Sequence, residues 1–65
     1  MEIEVGDKFF VPNDGTIFIV DKIEIHEKWG ALVCSSLEGG AKGNYRDSLE
    51  DFIEFLKENS ATKII

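Results

Sequence analysis

The chain has a single cysteine, a single proline and a single histidine, and it contains no long apolar run. The lone cysteine, Cys34, excludes an internal disulfide, and too few Cys and His residues are present for a structural zinc site. No segment approaches the roughly 20 consecutive apolar residues of a membrane-spanning helix. The first five residues carry acids instead of the basic start and apolar stretch of a signal peptide. We therefore expect a cytoplasmic domain without membrane attachment, stabilised by packing alone.

Basic residues are also scarce. Lys and Arg number 7 against 13 Asp and Glu, which gives a formal net charge of −6. The seven basic residues are scattered along the chain and form no stripe. Because binding to a phosphate backbone depends on clustered Lys and Arg, direct binding of DNA or RNA is not expected.

The length of 65 residues allows one domain, covering residues 1–65, with one modest core. At this size hydrophobic burial and conformational entropy nearly cancel, so packing is only just sufficient for stability. Self-association is one way to supply more buried surface. No internal repeat or low-complexity segment is visible.

One segment carries the complete signature of a helix, which is predicted to cover about residues 48–59. Four apolar residues fall at the spacing i, i+3, i+4 and i+7 that places them on one helical face: Leu49, Phe52, Ile53 and Leu56. Ser48 is a candidate N-cap with Asp51 as its capping-box partner, and Asp47 with Glu50 is a rival pair. Phe55 lies on the flank of the apolar face, so it either widens the buried surface or is left for a partner.

The preceding residues show strand patterns separated by turn formers. Strand character is predicted for 2–5, 8–11, 16–25, 29–35 and 44–46, with 63–65 as a last strand that pairs either within the chain or across a dimer. Pro12–Gly15 predicts a tight hairpin turn. The adjacent Phe9 and Phe10 must point to opposite faces of their strand, so only one of them belongs to the core.

Two further local features are predicted. Residues 16–25 form a strand too long to stay straight, so a bulge near Asp21 is expected to bend it and re-aim its side chains. The glycines between Ser36 and Gly43 predict a flexible loop, and Glu38–Gly43 lacks the spacing of a phosphate-binding loop.

The order of these segments carries a resemblance. Val5-Gly6-Asp7-Lys8-Phe9, a turn at Gly15, Phe18-Ile19-Val20 followed by Ile23, and the closing helix at Ser48–Phe52 resemble small SH3-like β-barrel proteins of bacteria and their phages. The resemblance implies an α+β, mostly β fold: a small SH3-like barrel of about five short antiparallel strands with a C-terminal α-helix packed on it. The Ala-Leu-Tyr-Asp-Tyr signature of polyproline-binding SH3 domains is missing, so that ligand is not expected.

No group of residues predicts catalysis. His26 is the only imidazole and is interpreted as a solvent-facing turn residue, since metal sites combine several ligands. Cys34 lies between apolar strand residues and is interpreted as a small buried apolar side chain, since a reactive thiol needs a neighbouring base. We therefore expect a non-enzymatic protein without a metal ion or cofactor.

Two functions remain. The first is a protein–protein interaction module, with an unidentified protein partner and self-association into a homodimer, because the chain has more aromatic residues than its core needs. The second is an acidic, phage-type inhibitor that mimics nucleic acid and blocks a host DNA- or RNA-binding protein. The candidate partner-binding residues for the two functions are Phe55, Trp29, Tyr45, Glu50, Glu54 and Glu58.

Overall fold

The computed structural model describes residues 1–65. Its elements are β1 (Lys8–Val11), β2 (Thr16–His26), β3 (Gly30–Gly39), β4 (Gly43–Ser48), α1 (Leu49–Glu58) and β5 (Thr62–Lys63). The strands form one antiparallel sheet in the order β4-β3-β2-β1-β5. Five antiparallel strands and one C-terminal helix confirm the mostly β, α+β class. The sheet is open, because β4 and β5 are its two edges and do not pair with each other.

The first hairpin forms as predicted. Pro12–Gly15 is a turn in which Gly15 adopts a φ of +77° and its N–H donates to the carbonyl of Val11 at 3.0 Å. On β1, Phe9 is 1% exposed whereas Phe10, on the opposite face, is only half-buried. The two neighbouring rings therefore divide between the core and the outer face of the sheet.

The predicted bulge in β2 is also confirmed. Val20 lies opposite Ser35 and Lys22 opposite Cys34, so Asp21 is an extra residue on the bulged strand. Before the bulge the strand is apolar on both faces, whereas after it Ile25 is 83% exposed. The bulge thus separates the core-forming half of β2 from a half that projects into solvent.

Two segments differ from their predictions. β3 continues to Gly39 and β4 begins at Gly43, so the expected loop of 36–43 shrinks to residues 40–42. The N–H of Gly40 donates to the carbonyl of Gly15 at 3.3 Å, which holds this turn against the first hairpin. Residues 2–5 are not a strand and form no ladder with the sheet.

The helix has the predicted cap with one change of partner. The Oγ of Ser48 accepts the N–H of Asp51 at 3.1 Å, as an N-cap does. The N–H of Ser48 donates to the Oδ1 of Asp47 at 2.9 Å rather than to Asp51. In a capping box one residue both donates its N–H to the cap side chain and accepts the N–H of the cap residue. Here Asp51 does the first and Asp47 does the second.

No helix of the structure has both the length and the apolar character needed to cross a membrane.

The core lies between α1 and one face of the sheet. From the helix, Phe52 and Leu56 are at most 1% exposed, and Leu49 and Ile53 are half-buried beside them. The rings of Phe9 and Phe52 meet edge to face, with centroids 6.0 Å apart. The buried apolar cluster comprises Phe9, Val11, Phe18, Val20, Val33, Phe52 and Leu56.

The C-terminus pairs within the chain. Phe9 lies opposite Lys63 and Phe10 opposite Thr62. The N–H of Ile64 donates to the carbonyl of Lys8 at 2.8 Å, which extends the pairing beyond β5. Of the two pairings left open by the sequence, the structure shows the one inside the chain.

Candidate functional site

Two of the predicted partner-binding residues, Trp29 and Glu50, line one cleft of about 520 Å³. Trp29 lies in the turn between β2 and β3, and Glu50 lies in the first turn of α1. They meet because Leu32, near the start of β3, lies opposite Ser48, where β4 passes into the helix. We call this the Trp29 cleft, and its lining residues are Trp29, Leu32, Arg46, Asp47, Ser48, Glu50 and Asp51.

Trp29 is exposed, yet contacts with His26 fix the position of its side chain. It is 60% exposed, and its ring stacks on that of His26 with centroids 4.3 Å apart and an interplanar angle of 17°. The Nδ1 of His26 accepts the N–H of Lys28 at 3.0 Å and that of Trp29 at 3.3 Å. His26, expected to face solvent, is thus half-buried. Its ring holds the turn and fixes the position of the tryptophan.

The carboxylates of the cleft are not equivalent. Asp47 is engaged within the chain, because its Oδ2 accepts the phenol of Tyr45 at 2.8 Å and its Oδ1 accepts the N–H of Ser48. Glu50 and Asp51 are exposed and form no ion pair within 4.0 Å. Their position in the first turn of α1 is favoured by the positive end of the helix dipole. The cleft therefore presents two free negative charges.

One cation lies in the cleft. The Nη1 of Arg46 is 3.9 Å from the Oε1 of Glu24, a residue of β2 outside the cleft. Three carboxylates, from Asp47, Glu50 and Asp51, thus face one guanidinium that is already paired elsewhere. The cleft is negatively charged, and its wall carries an exposed aromatic ring.

Tyr45 and Phe55 lie in a different place. Their rings are 5.7 Å apart, and each packs on Phe18, with centroid distances of 5.5 Å for Tyr45 and 5.2 Å for Phe55. Both are half-buried. Burial, and then the hydrogen bond to Asp47, raise the pKa of Tyr45 to about 12. These two rings extend the core. Phe55 thus widens the buried surface, which is one of the two alternatives left open by the sequence, whereas Tyr45 was expected to be surplus to the core.

Glu54 and Glu58 are exposed on α1 but do not line the cleft. Glu58 borders a more open depression, also of about 520 Å³, at the opposite end of the helix, with Pro12, Asn13, Asn59 and Ser60. With a rise of 1.5 Å per residue, Glu50 and Glu58 are separated by about 12 Å along the helix axis. The three glutamates Glu50, Glu54 and Glu58 therefore follow one another along the helix, and only Glu50 borders the cleft.

A second, smaller cleft of about 310 Å³ lies along β4. Within it, the Sγ of Cys34 donates to the Oε1 of Glu24 at 3.2 Å. Burial, and then this hydrogen bond, raise the pKa of the Cys34 thiol, and the same bond is the main cause of the lowered pKa of Glu24. Cys34 is half-buried and bonded to a carboxylate, not fully buried among apolar side chains as predicted. The residues that line this smaller cleft are Asp21, Lys22, Cys34, Ser35, Asn44, Tyr45 and Arg46.

Sequence reasoning did not identify Leu32, Arg46 or the edge strand β4 as parts of a surface. Their place depends on the pairing of β3 with β4, for which the chain carries no local signal. No group of three or more His, Cys, Asp or Glu side chains is arranged to hold a metal ion. Compared with family models, with curated proteins and with solved structures, the chain matches none of them.

Proposed function

We propose that this chain is a small non-enzymatic module of bacterial or phage origin that binds a protein partner through the Trp29 cleft. The observation that carries the proposal is Trp29 itself: a tryptophan 60% exposed yet fixed by stacking on His26. Tryptophan is enriched among the residues that dominate binding energy at protein interfaces. A ring held in place before binding also loses little conformational entropy when a partner covers it.

The assignment of origin rests on the resemblance to small SH3-like barrels. We propose that the fold is an open form of such a barrel. A four-strand meander with β5 paired to β1, a bent β2 and a helix between β4 and β5 support this proposal. The helix covers the face of the sheet that a closed barrel would enclose.

Photo-crosslinking tests the partner-binding proposal. A benzoylphenylalanine placed at position 29 is expected to form a covalent adduct with one predominant protein in lysate of the source cells. The matched control carries the same group at Lys42, an exposed residue in the turn before β4 and outside the Trp29 cleft. Equal labelling of many proteins at both positions contradicts the proposal.

Self-association is a second part of the proposal. Ile64 and Ile65 follow the short edge strand β5 and are 52% and 67% exposed. A second copy that covers them would remove this apolar surface from water. Light scattering is expected to give the mass of a dimer, and Ile65→Lys is expected to shift it toward the monomer. A monomeric mass across a wide concentration range removes this part of the proposal.

The acidic inhibitor remains the alternative, and one observation favours it. Glu50, Glu54 and Glu58 are all exposed, and no cation lies within 4.0 Å of any of them. Their charges are therefore free to attract a basic protein surface. This alternative requires all three glutamates, whereas the interaction module requires only Glu50, which borders the Trp29 cleft.

A further inference from the structure

We infer that the free edge of β4 is the docking strand of this module and that it pairs with an extended segment of the partner that carries Lys or Arg. The inference rests on the proposed function, because it names the part of a protein partner that the cleft recognises. It follows from three observations: an unpaired sheet edge, two clefts beside it, and the charge of the larger cleft.

The edge of β4 has no backbone partner within the chain. β4 pairs only with β3, and none of the backbone hydrogen bonds outside the helix and the sheet ladders involves residues 43–48. The strand has six residues and no proline, whereas β5 at the other edge has two residues. An edge of this kind presents N–H and C=O groups that can pair with an added strand.

Both clefts border this edge, and each also includes a β4 residue of the other face, Asp47 in the Trp29 cleft and Tyr45 in the smaller one. Arg46 lines both of them, Ser48 lines the Trp29 cleft, and Asn44 lines the smaller one. These three residues alternate along β4, so they share one face of the sheet. Alternate side chains of an added strand also point to one face, about 7 Å apart. Two such side chains can therefore enter the two clefts while the backbone pairs with β4.

Charge identifies one of these side chains. The Trp29 cleft has the free carboxylates of Glu50 and Asp51, while its one cation is paired with Glu24 outside it. A Lys or Arg side chain would neutralise these carboxylates and could lie against the face of Trp29. The net charge of −6 attracts such a segment at long range. The smaller cleft, with Asp21, Lys22 and Arg46, has no comparable negative surplus.

The test uses the full chain labelled with ¹⁵N and a short synthetic peptide in which Lys alternates with Val. We expect saturable shifts of the amide signals of residues 43–48 and of the Trp29 indole. Two further peptides have the same side chains. One is N-methylated at the alternate amides of the edge that faces β4, and the other at the alternate amides of the opposite edge. Methylation of the edge that faces β4 removes hydrogen bonds, so binding is expected to weaken roughly tenfold. Methylation of the other edge is expected to have little effect.

A pair of variants tests the position of the charge. Glu50→Lys and Glu38→Lys change the net charge equally, and Glu38 is exposed at the far end of β3, outside both clefts. Only Glu50→Lys is expected to weaken peptide binding, by roughly tenfold. Equal losses in both variants would show that attraction is non-specific and would overturn the inference.

The remaining outcomes are also decisive. If both methylated peptides bind as well as the parent, or if the amides of residues 43–48 do not shift, strand addition is wrong. If these amides shift with protein concentration alone, the edge is covered by a second copy and the inference is likewise wrong. Crosslinking at position 29 is read separately, so the proposed function survives or fails independently of the peptide result.

Discussion

The phenol of Tyr45 donates a hydrogen bond of 2.8 Å to the Oδ2 of Asp47, and the Oδ1 of the same carboxylate accepts the N–H of Ser48. Asp47 thereby joins the aromatic extension of the core to the N-cap of α1. The arrangement depends on a neutral phenol, since a phenolate can no longer donate to the carboxylate. Stability should therefore depend on the protonation of Tyr45.

The pKa of Tyr45 is raised to about 12 in the folded chain, against about 10 in an unfolded one. The folded state retains the proton more strongly, so this stabilisation is complete below about pH 10 and is lost as the pH rises toward 12. Urea unfolding at increasing alkaline pH should show the loss. Tyr45→Phe should cost about 0.5–1.5 kcal/mol at neutral pH and give a flatter pH profile above pH 10. An equal alkaline loss in both proteins would assign it to other groups.

Cys34 is expected to react slowly with iodoacetamide. Its thiol pKa is raised, first by burial and then by the hydrogen bond to Glu24, so little thiolate is present near neutral pH. Glu24→Gln should increase the alkylation rate several-fold because it removes the negative charge beside the sulfur. The control is Glu38→Gln, because Glu38 lies outside the smaller cleft and the hydrogen bond of Cys34 is to Glu24. A reaction of the parent protein as fast as that of an unstructured cysteine peptide would contradict the geometry.

Phe52→Ala should leave the chain largely unfolded. The ring is fully buried and packs on Phe9 and Phe18. Truncating a buried Phe costs about 3–5 kcal/mol, which approaches the whole stability of a domain of this size. Circular dichroism and urea unfolding measure the effect. Ile25→Ala is the control, because Ile25 is 83% exposed and should change stability by about 0.5 kcal/mol or less.

Gly40→Ala should destabilise the pairing of the two turns that meet at Gly15. A Cβ at position 40 would overlap the carbonyl oxygen of Asp14, so the backbone must shift. We expect a cost of about 1–3 kcal/mol, as for other overpacked sites. The comparison is Lys42→Ala in the same turn, because Lys42 is exposed and forms no ion pair. Unchanged stability in Gly40→Ala would show that the turn is free to move.

Separate charge reversals distinguish the two proposed functions. For binding to the partner captured at position 29, Glu50→Lys in this chain should weaken the affinity roughly tenfold, whereas Glu54→Lys and Glu58→Lys should each change it less than about threefold. The reason is that only Glu50 borders the Trp29 cleft. Calorimetry at low and moderate salt measures the three losses. Similar losses in all three variants would favour mimicry of nucleic acid over the interaction module.

Some features follow from interactions between residues close in sequence, and these were predictable. The helix needed only the spacing of its apolar residues and a capping serine, so its bounds agree with the prediction to within one residue. The turn at Pro12–Gly15 and the bulge at Asp21 also follow from local preferences. For the candidate site, the sequence predicted Trp29 and Glu50 individually but not as neighbours.

Other features depend on contacts between distant parts of the chain. Gly39 and Gly40 have the composition of a flexible loop, yet they pack against the turn at Asp14 and Gly15. Phe55 lies on the flank of its helix face, and only the position of Phe18 on β2 decides that it joins the core. Neither outcome can be derived from local propensity, because each depends on how the strands pair.

The sequence by itself therefore determined the helix, the first hairpin, the bulge of β2 and the excess of negative charge, since composition, periodicity and caps act within a few residues. The tertiary structure alone decided the open strand order, the free edge of β4 and the convergence of Trp29 with Glu50. The physical reason is that the β3–β4 ladder, with Leu32 opposite Ser48, brings the start of one strand beside the start of the helix. That pairing creates a cleft between residues 21 positions apart in the chain, Trp29 and Glu50.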